Sequence, residues 1–207
     1  MPESRLLAPL FPVLALLLVY PLNRLQSLPR WAMTGVVGLG LGLLTYQVVA
    51  SEAYEPDPAA FVGTLVGRQL QSTQPAGTVV ALNTAGSTPY FAADLKFIDM
   101  LGLNDAHIAR RSITQFQAVW QHHPGHSKGD GSYVLSRQPD IVIIGPAEGW
   151  RIERAPFLSD LELRQNPVFL ELYRLRRTEI DVRAVPRFAQ YRATRTGTLT
   201  FQYYERR

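Results

Sequence analysis

Two apolar runs open the chain, and shorter periodic segments separated by turn residues fill the rest. Residues 31–50 form a twenty-residue stretch without a charge, whose only non-aromatic polar side chains are Thr34, Thr45 and Gln47. At about 1.5 Å per residue this stretch spans about 30 Å, the hydrocarbon thickness of a bilayer. A soluble helix would show a polar face at helical spacing, and none is present. The pattern predicts a transmembrane helix. Residues 6–22 form a second apolar run, interrupted by Pro9, Pro12 and Pro21, at the lower length limit for a span. A cleaved signal peptide is the rival reading. However, Pro21-Leu22-Asn23-Arg24 lacks the small-residue cleavage pattern and a full membrane helix follows at once, so two spans are expected.

The loop between the two runs carries Arg24 and Arg30 and no acid, whereas Glu52, Glu55 and Asp57 follow the second run. The positive-inside bias places that loop in the cytoplasm and everything after residue 52 outside it, in a protein integral to the plasma membrane. Gly38 and Gly42 stand four apart, with Gly35 and Gly40 nearby, so one helix face is nearly bare backbone. Either that face packs on a partner membrane helix or the glycines are simply those common in membrane helices.

Beyond the prolines at 56 and 58 the periodicity changes. Phe61, Val62, Leu65, Val66 and Leu70 recur at helical spacing, and Gln74-Pro75-Ala76-Gly77 ends the pattern. Residues 78–82 and 140–144 are short β-branched runs, and 96–101 is a third, each read as a buried strand. Between them lie a turn-rich loop at 83–90 in which Pro89 can open a helix, an N-capped helix near 104–111, and a helical turn at 132–137. This alternation predicts parallel strands in a small α/β sandwich. Residues 168–176 and 198–204 read as extended, with Arg195-Thr196-Gly197 as a turn to 188–193, so antiparallel strands make the sheet mixed. The expected organisation is two membrane helices in 1–52 and an extracytoplasmic α/β domain in 53–207.

Charge changes the picture little. Residues 1–150 carry 9 basic and 10 acidic side chains, and 151–207 carry 12 and 7. In the basic third, acids such as Glu153, Asp160 and Glu162 alternate with arginine as on a solvated surface, and no nucleic-acid-binding motif accompanies the charge, so no nucleic-acid partner is expected. Cysteine is absent, which excludes disulfides and thiolate metal sites.

Candidate chemistry gathers in loops at strand carboxyl ends, where ligands of open α/β sheets bind. Tyr90, Asp99, Asp105, His107 and Arg110 stand in the first two, and His126, Lys128 and Asp130 in the loop before the third strand. Imidazole, guanidinium, ammonium and carboxylate together can hydrogen-bond hydroxyls and neutralise phosphate. Turn formation and capping are the competing roles for Asp99 and Asp105, and a solvated surface loop for 125–130. His122 and His123 are adjacent to one another and close to His126, a spacing that rarely ligates one metal, and no metal or cofactor is expected. No nucleophile elbow, P-loop or carboxylate pair is visible.

The residues Arg5-Leu6-Leu7-Ala8-Pro9-Leu10-Phe11-Pro12 resemble the late membrane helix of C-type polytopic glycosyltransferases. Gly86-Ser87-Thr88-Pro89-Tyr90, the run from Ile98 to Arg110, and Gly125-His126-Ser127-Lys128-Gly129-Asp130 before Pro139-Asp140 are similar to the extracytoplasmic terminal domain of bacterial members, the arabinofuranosyltransferase-like ones included. The resemblance implies polyprenyl-phosphate sugar donors used outside the cytoplasm. It also implies catalytic acids in an early loop among many N-terminal helices, a region without counterpart in these 207 residues. The expectation is therefore the terminal portion of such an enzyme, whether a fragment, a split gene or a free-standing relative. Its soluble domain would assist acceptor or donor binding without catalysing alone. A membrane-anchored binding or assembly module without catalysis is the alternative, and whether the chain is an enzyme stays open.

Overall fold

The computed structural model describes residues 29, 31, 34, 35, 38–40, 42, 43, 46, 58–182 and 197–207. Contacts divide the chain into two units, Met1–Asp57 and Pro58–Arg207. In the first, the nine described positions from Trp31 to Tyr46 are all helical. Their large apolar side chains face outward: Trp31 is 77% exposed and Leu39 67%. Among the described residues no helix is long and apolar enough to cross a membrane. The run at 6–22 lies outside the described residues, as does more than half of the run at 31–50.

The second unit is a mixed α/β domain. Its strands are β1 (Val79–Leu82), β2 (Lys96–Asp99), β3 (Ile141–Ile143), β4 (Tyr173–Asp181) and β5 (Thr198–Arg206), in the spatial order β2-β1-β3-β5-β4. The first three are parallel, with Val79 opposite Lys96 and Val80 opposite Ile141; β5 runs antiparallel to both β3 and β4. Successive side chains in a strand point to opposite faces. Val80, Leu82, Ile141 and Ile143 therefore pack under α1 (Pro58–Thr73), against Phe61, Leu65, Val66 and Leu70. Ala81, Val142 and Ile144 pack on the other face against Ile108, Val134, Leu163 and Phe169. Burial on both faces explains why these strands read as continuous apolar runs.

The short helix α2 (Ser87–Phe91) lies close against α1, and a glycine permits this approach. A Cβ at Gly67 would stand 2.6 Å from the Thr88 carbonyl oxygen, closer than atoms tolerate. The remaining helices are α3 (Ala106–Arg110), α4 (Gly131–Ser136), a 3-10 turn (Ile152–Arg154), α5 (Leu158–Gln165) and α6 (Pro167–Leu172).

Three expectations differ from the fold. The second strand stops at Asp99 and not at 101, because the Asp99 carboxylate takes the N–H groups of Leu101 and Gly102 and turns the chain. Residues 168–172, expected as strand, belong to α6: Asn166 caps it by accepting from the Val168 N–H (2.9 Å), and Pro167 supplies the first helical residue. Asp160, expected on a solvated surface, is fully buried on α5. The expected strand at 188–193 lies outside the described residues, and the observed neighbours of β5 are β3 and β4.

Candidate functional site

Because β1, β2 and β3 are parallel, the chain leaves all three at one edge of the sheet. Asp99 closes β2 and is buried; its oxygens accept from the N–H groups of Leu101, Gly102 and Asn104 at 3.0, 3.2 and 2.6 Å. All of this carboxylate is spent on shaping its own loop. Gly102 has a φ of +75°, and a Cβ there would sit 2.7 Å from the Ala109 nitrogen, so the loop can press against α3 only with glycine at this place. Asp105 caps α3, accepting from His107 N–H (2.9 Å) and Ile108 N–H (3.1 Å), while its other oxygen accepts from the Tyr133 hydroxyl at 3.2 Å.

His107 lies flat on the Tyr133 ring, centroids 4.0 Å apart at 13°, with Nε2 3.4 Å from the Asp130 carboxylate. Asp130 in turn caps α4 through the Tyr133 N–H (2.9 Å). Arg111 donates to the Gly129 carbonyl (2.6 Å) and pairs with Glu162 at 2.7 Å. Lys128 donates to the Arg111 carbonyl at 2.7 Å, at the carboxyl end of α3. Arg110 differs from all of these: it is exposed and its guanidinium has no hydrogen bond or ion pair among the described residues. Arg110 lines a shallow depression of about 520 Å³ together with Ala106, His107 and Arg111.

The structure thus brings Asp105, His107, Arg110, Lys128 and Asp130 to one place and leaves three candidates out of it. Asp99 lies beneath as a loop brace. Tyr90 projects from α2, 78% exposed, with its ring edge-on to Phe91. His126 stacks on Phe157 (5.4 Å, 9°) and bonds the Pro124 carbonyl through Nδ1 (2.9 Å), beside Trp120 packed edge-on to the same phenyl ring. Among the described residues no three His, Asp or Glu side chains converge as a metal-binding group.

The residues missing from the sequence reading are those that hold the edge together, and most lie on α5. Ser159 Oγ donates to the Met100 carbonyl (2.8 Å) and accepts from the Asp130 N–H (2.9 Å), tying β2's exit to the start of α4. Glu162 accepts from the Gly131 N–H (2.6 Å) besides pairing with Arg111. Asp160 accepts from the Asn83 amide (2.9 Å) and the Gly145 N–H (3.0 Å), joining the ends of β1 and β3. Burial pushes the Asp160 carboxyl up from 3.8 to about 7, against the downward pull of the hydrogen bonds from Asn83, Gly145 and Phe157. An acid three residues into a helix that opens on an apolar stretch was the available signal. Nothing in its spacing distinguished Asp160 from the exposed acids around it.

No curated protein and no solved structure matches the chain. A family model does match, over residues 47–201, from the end of the apolar run at 31–50 to the middle of β5. The chain accordingly belongs to the family described as Domain of unknown function (DUF8728).

Proposed function

We propose that this protein is the terminal portion of a membrane glycosyltransferase that uses polyprenyl-phosphate sugars, and that its α/β domain helps to seat a sugar- or phosphate-bearing ligand. In this reading the runs at 6–22 and 31–50 are membrane helices, and the domain lies outside the cytoplasm of a bacterial plasma membrane. The observation that carries it is the exposed Arg110, without a partner among the described residues, beside His107 in an open depression at the carboxyl edge of the parallel strands. That edge is where α/β sheets take ligands, and guanidinium with imidazole suits phosphate and hydroxyl groups. The outward-facing apolar side chains of Trp31, Leu39, Leu43 and Tyr46 support the membrane placement, since in water they would cost free energy. The neighbouring acids favour binding over catalysis: Asp99, Asp105 and Asp130 are already spent on N–H groups and caps.

A photoactivatable polyprenyl-phosphate pentose, added to the full chain in nanodiscs, is expected to label the peptide that spans α3. Arg110→Gln should reduce that labelling about tenfold, the equivalent of one lost charge-assisted contact. Labelling confined to the membrane segment, or unchanged by Arg110→Gln, would refute the site. The helix face at Gly38 and Gly42, where a Cβ would meet nothing within 4 Å among the described residues, favours a second reading as an anchored assembly module. Gly38→Leu with Gly42→Leu would then abolish co-purification of a membrane partner while leaving labelling intact.

A further inference from the structure

The same loop that leaves β3 builds a second cleft, about 250 Å³ in volume, lined by Trp150, Arg151, Arg154, Arg177, Thr200 and Gln202. Its walls are fixed. The Trp150 N–H donates to the Ile144 carbonyl (2.7 Å), the Gln202 N–H to the Glu148 carbonyl (2.8 Å), and the Ile152 N–H to the buried Tyr204 hydroxyl (2.8 Å). Gly149, at φ +71°, lets the loop lie on β5, because a Cβ there would overlap the Gln202 carbonyl. Across the sheet Arg177 stands opposite Gln202 in the β4–β5 register, so loop, 3-10 turn and two strands each contribute to the lining.

Charge is unevenly used within this cleft. Arg151 pairs with Glu153 at 3.1 Å, and Glu179 accepts from the Thr200 hydroxyl at 2.7 Å. Arg154 and Arg177 have no hydrogen bond or ion pair from their guanidinium groups among the described residues. Two planar cations without partners among the described residues therefore face a space that also offers an indole, held edge-on by Trp120 at 5.5 Å, and the Gln202 amide, whose buried Oε1 has no hydrogen-bond partner among the described residues. No hydrogen bond fixes that end of the amide, so it can turn to a ligand. Guanidinium groups recognise phosphate oxygens in pairs, indole covers the C–H face of a sugar or polyol, and amides meet hydroxyls. The volume falls just below the range of about 300–1,000 Å³ usual for drug-sized ligands, which suits one small group and not an oligosaccharide.

We infer that this cleft is a second ligand site, which takes a phosphate ester carried by a small polyol through Arg154 and Arg177, with Trp150 and Gln202 on the polyol. The site stands apart from the depression at Arg110 and requires no glycosyl transfer. A soluble sugar phosphate and a glycerophospholipid head group share this chemistry, and two arms separate them. In the first, ribose 5-phosphate and ribose are titrated into the full chain in a neutral detergent, with fluorescence assigned to Trp150 by Trp150→Phe. In the second, the same emission is compared in nanodiscs of phosphatidylglycerol and of phosphatidylcholine.

A saturable response to ribose 5-phosphate, with ribose roughly tenfold weaker or worse, identifies a soluble ligand; a response confined to phosphatidylglycerol identifies a head group. In whichever arm responds, Arg154→Gln with Arg177→Gln should weaken binding roughly tenfold or more, while Arg110→Gln leaves it unchanged. Both arginines are exposed, so the double variant is expected to keep the parent's unfolding curve. Silence in both arms, or binding equally tight in the double variant, overturns the inference. Loss with Arg110→Gln alone assigns the response to the other site and equally overturns it.

Discussion

Asp160 makes the stability of the domain depend on pH in an unusual direction. Its carboxyl is fully buried, and burial raises it from 3.8 to about 7. Between those values the native state binds a proton that the unfolded chain has released, so stability must fall as pH rises through the window and level off above about 7. The difference between about 7 and 3.8 is roughly 3 pH units; at about 1.4 kcal/mol per unit the loss is on the order of 4 kcal/mol. Against a total of about 5–15 kcal/mol for a folded domain, that is a large fraction. Urea unfolding of the full chain in detergent, followed by near-ultraviolet circular dichroism at about pH 5 and about pH 8, reads it. Asp160→Asn removes the titration, and the wild-type slope minus the variant slope isolates the contribution of this one group. The variant itself should lose about 1–3 kcal/mol, because its amide nitrogen must face one of the present donors, Asn83 Nδ2 or Gly145 N–H. Stability that rises from pH 5 to pH 8, or a slope unchanged in Asp160→Asn, would show that the hydrogen bonds hold Asp160 as a carboxylate, and the burial argument would fail.

Two further outcomes follow from single contacts. Gly149→Ala places a methyl on the Gln202 carbonyl at a φ of +71°, and should cost roughly 3 kcal/mol or more in the same unfolding assay; a loss below about 1 kcal/mol would mean that the loop lifts off β5 freely. Ser159→Ala leaves the Met100 carbonyl and the Asp130 N–H without their shared partner, so the Asp130 amide should exchange its hydrogen about tenfold faster or more; unchanged protection would show that the hydroxyl does not tie the two loops.

What the sequence revealed depended on whether an element's signal was local. The five apolar positions of α1 recur at helical spacing, and the β-branched runs of β1 and β3 are bounded by turn residues, so these elements were legible from their own residues. The capping role of Asp105 and Asp130 is local in the same way: each stands at the start of a short helix and accepts from its first turn with one oxygen. That the two loops share one edge was expected from the parallel strands, but the contact joining them, His107 on Tyr133 and Asp130, was not legible, because it pairs residues more than 20 positions apart. The reversal at residues 168–172 has a local cause that was overlooked. An Asn-Pro pair opens α6, whereas apolar content alone favoured a strand. His126 misled because a glycine-flanked loop draws attention to its imidazole, and only the fold shows that ring resting on Phe157.

The division of polar groups at the carboxyl edge also bears on what the edge can do. Three separate loops leave three strands there. The helix α5, from a later part of the chain, ties them by hydrogen bonds: Ser159 holds the exit of β2, Asp160 the exits of β1 and β3, and Glu162 the Arg111 guanidinium. Gly129 and Gly131 fit beneath it because a Cβ at either would collide with Ser159 or Glu162. The oxygens of Asp160 and Glu162 already accept from N–H groups or a cation, so these acids serve to position the loops. The cations have the opposite fate. Arg110 at one depression, and Arg154 with Arg177 at the other, are left facing solvent on a scaffold that buried acids have stiffened. Such an arrangement presents guanidinium groups on a fixed scaffold, which is what the proposed binding of anionic ligands requires.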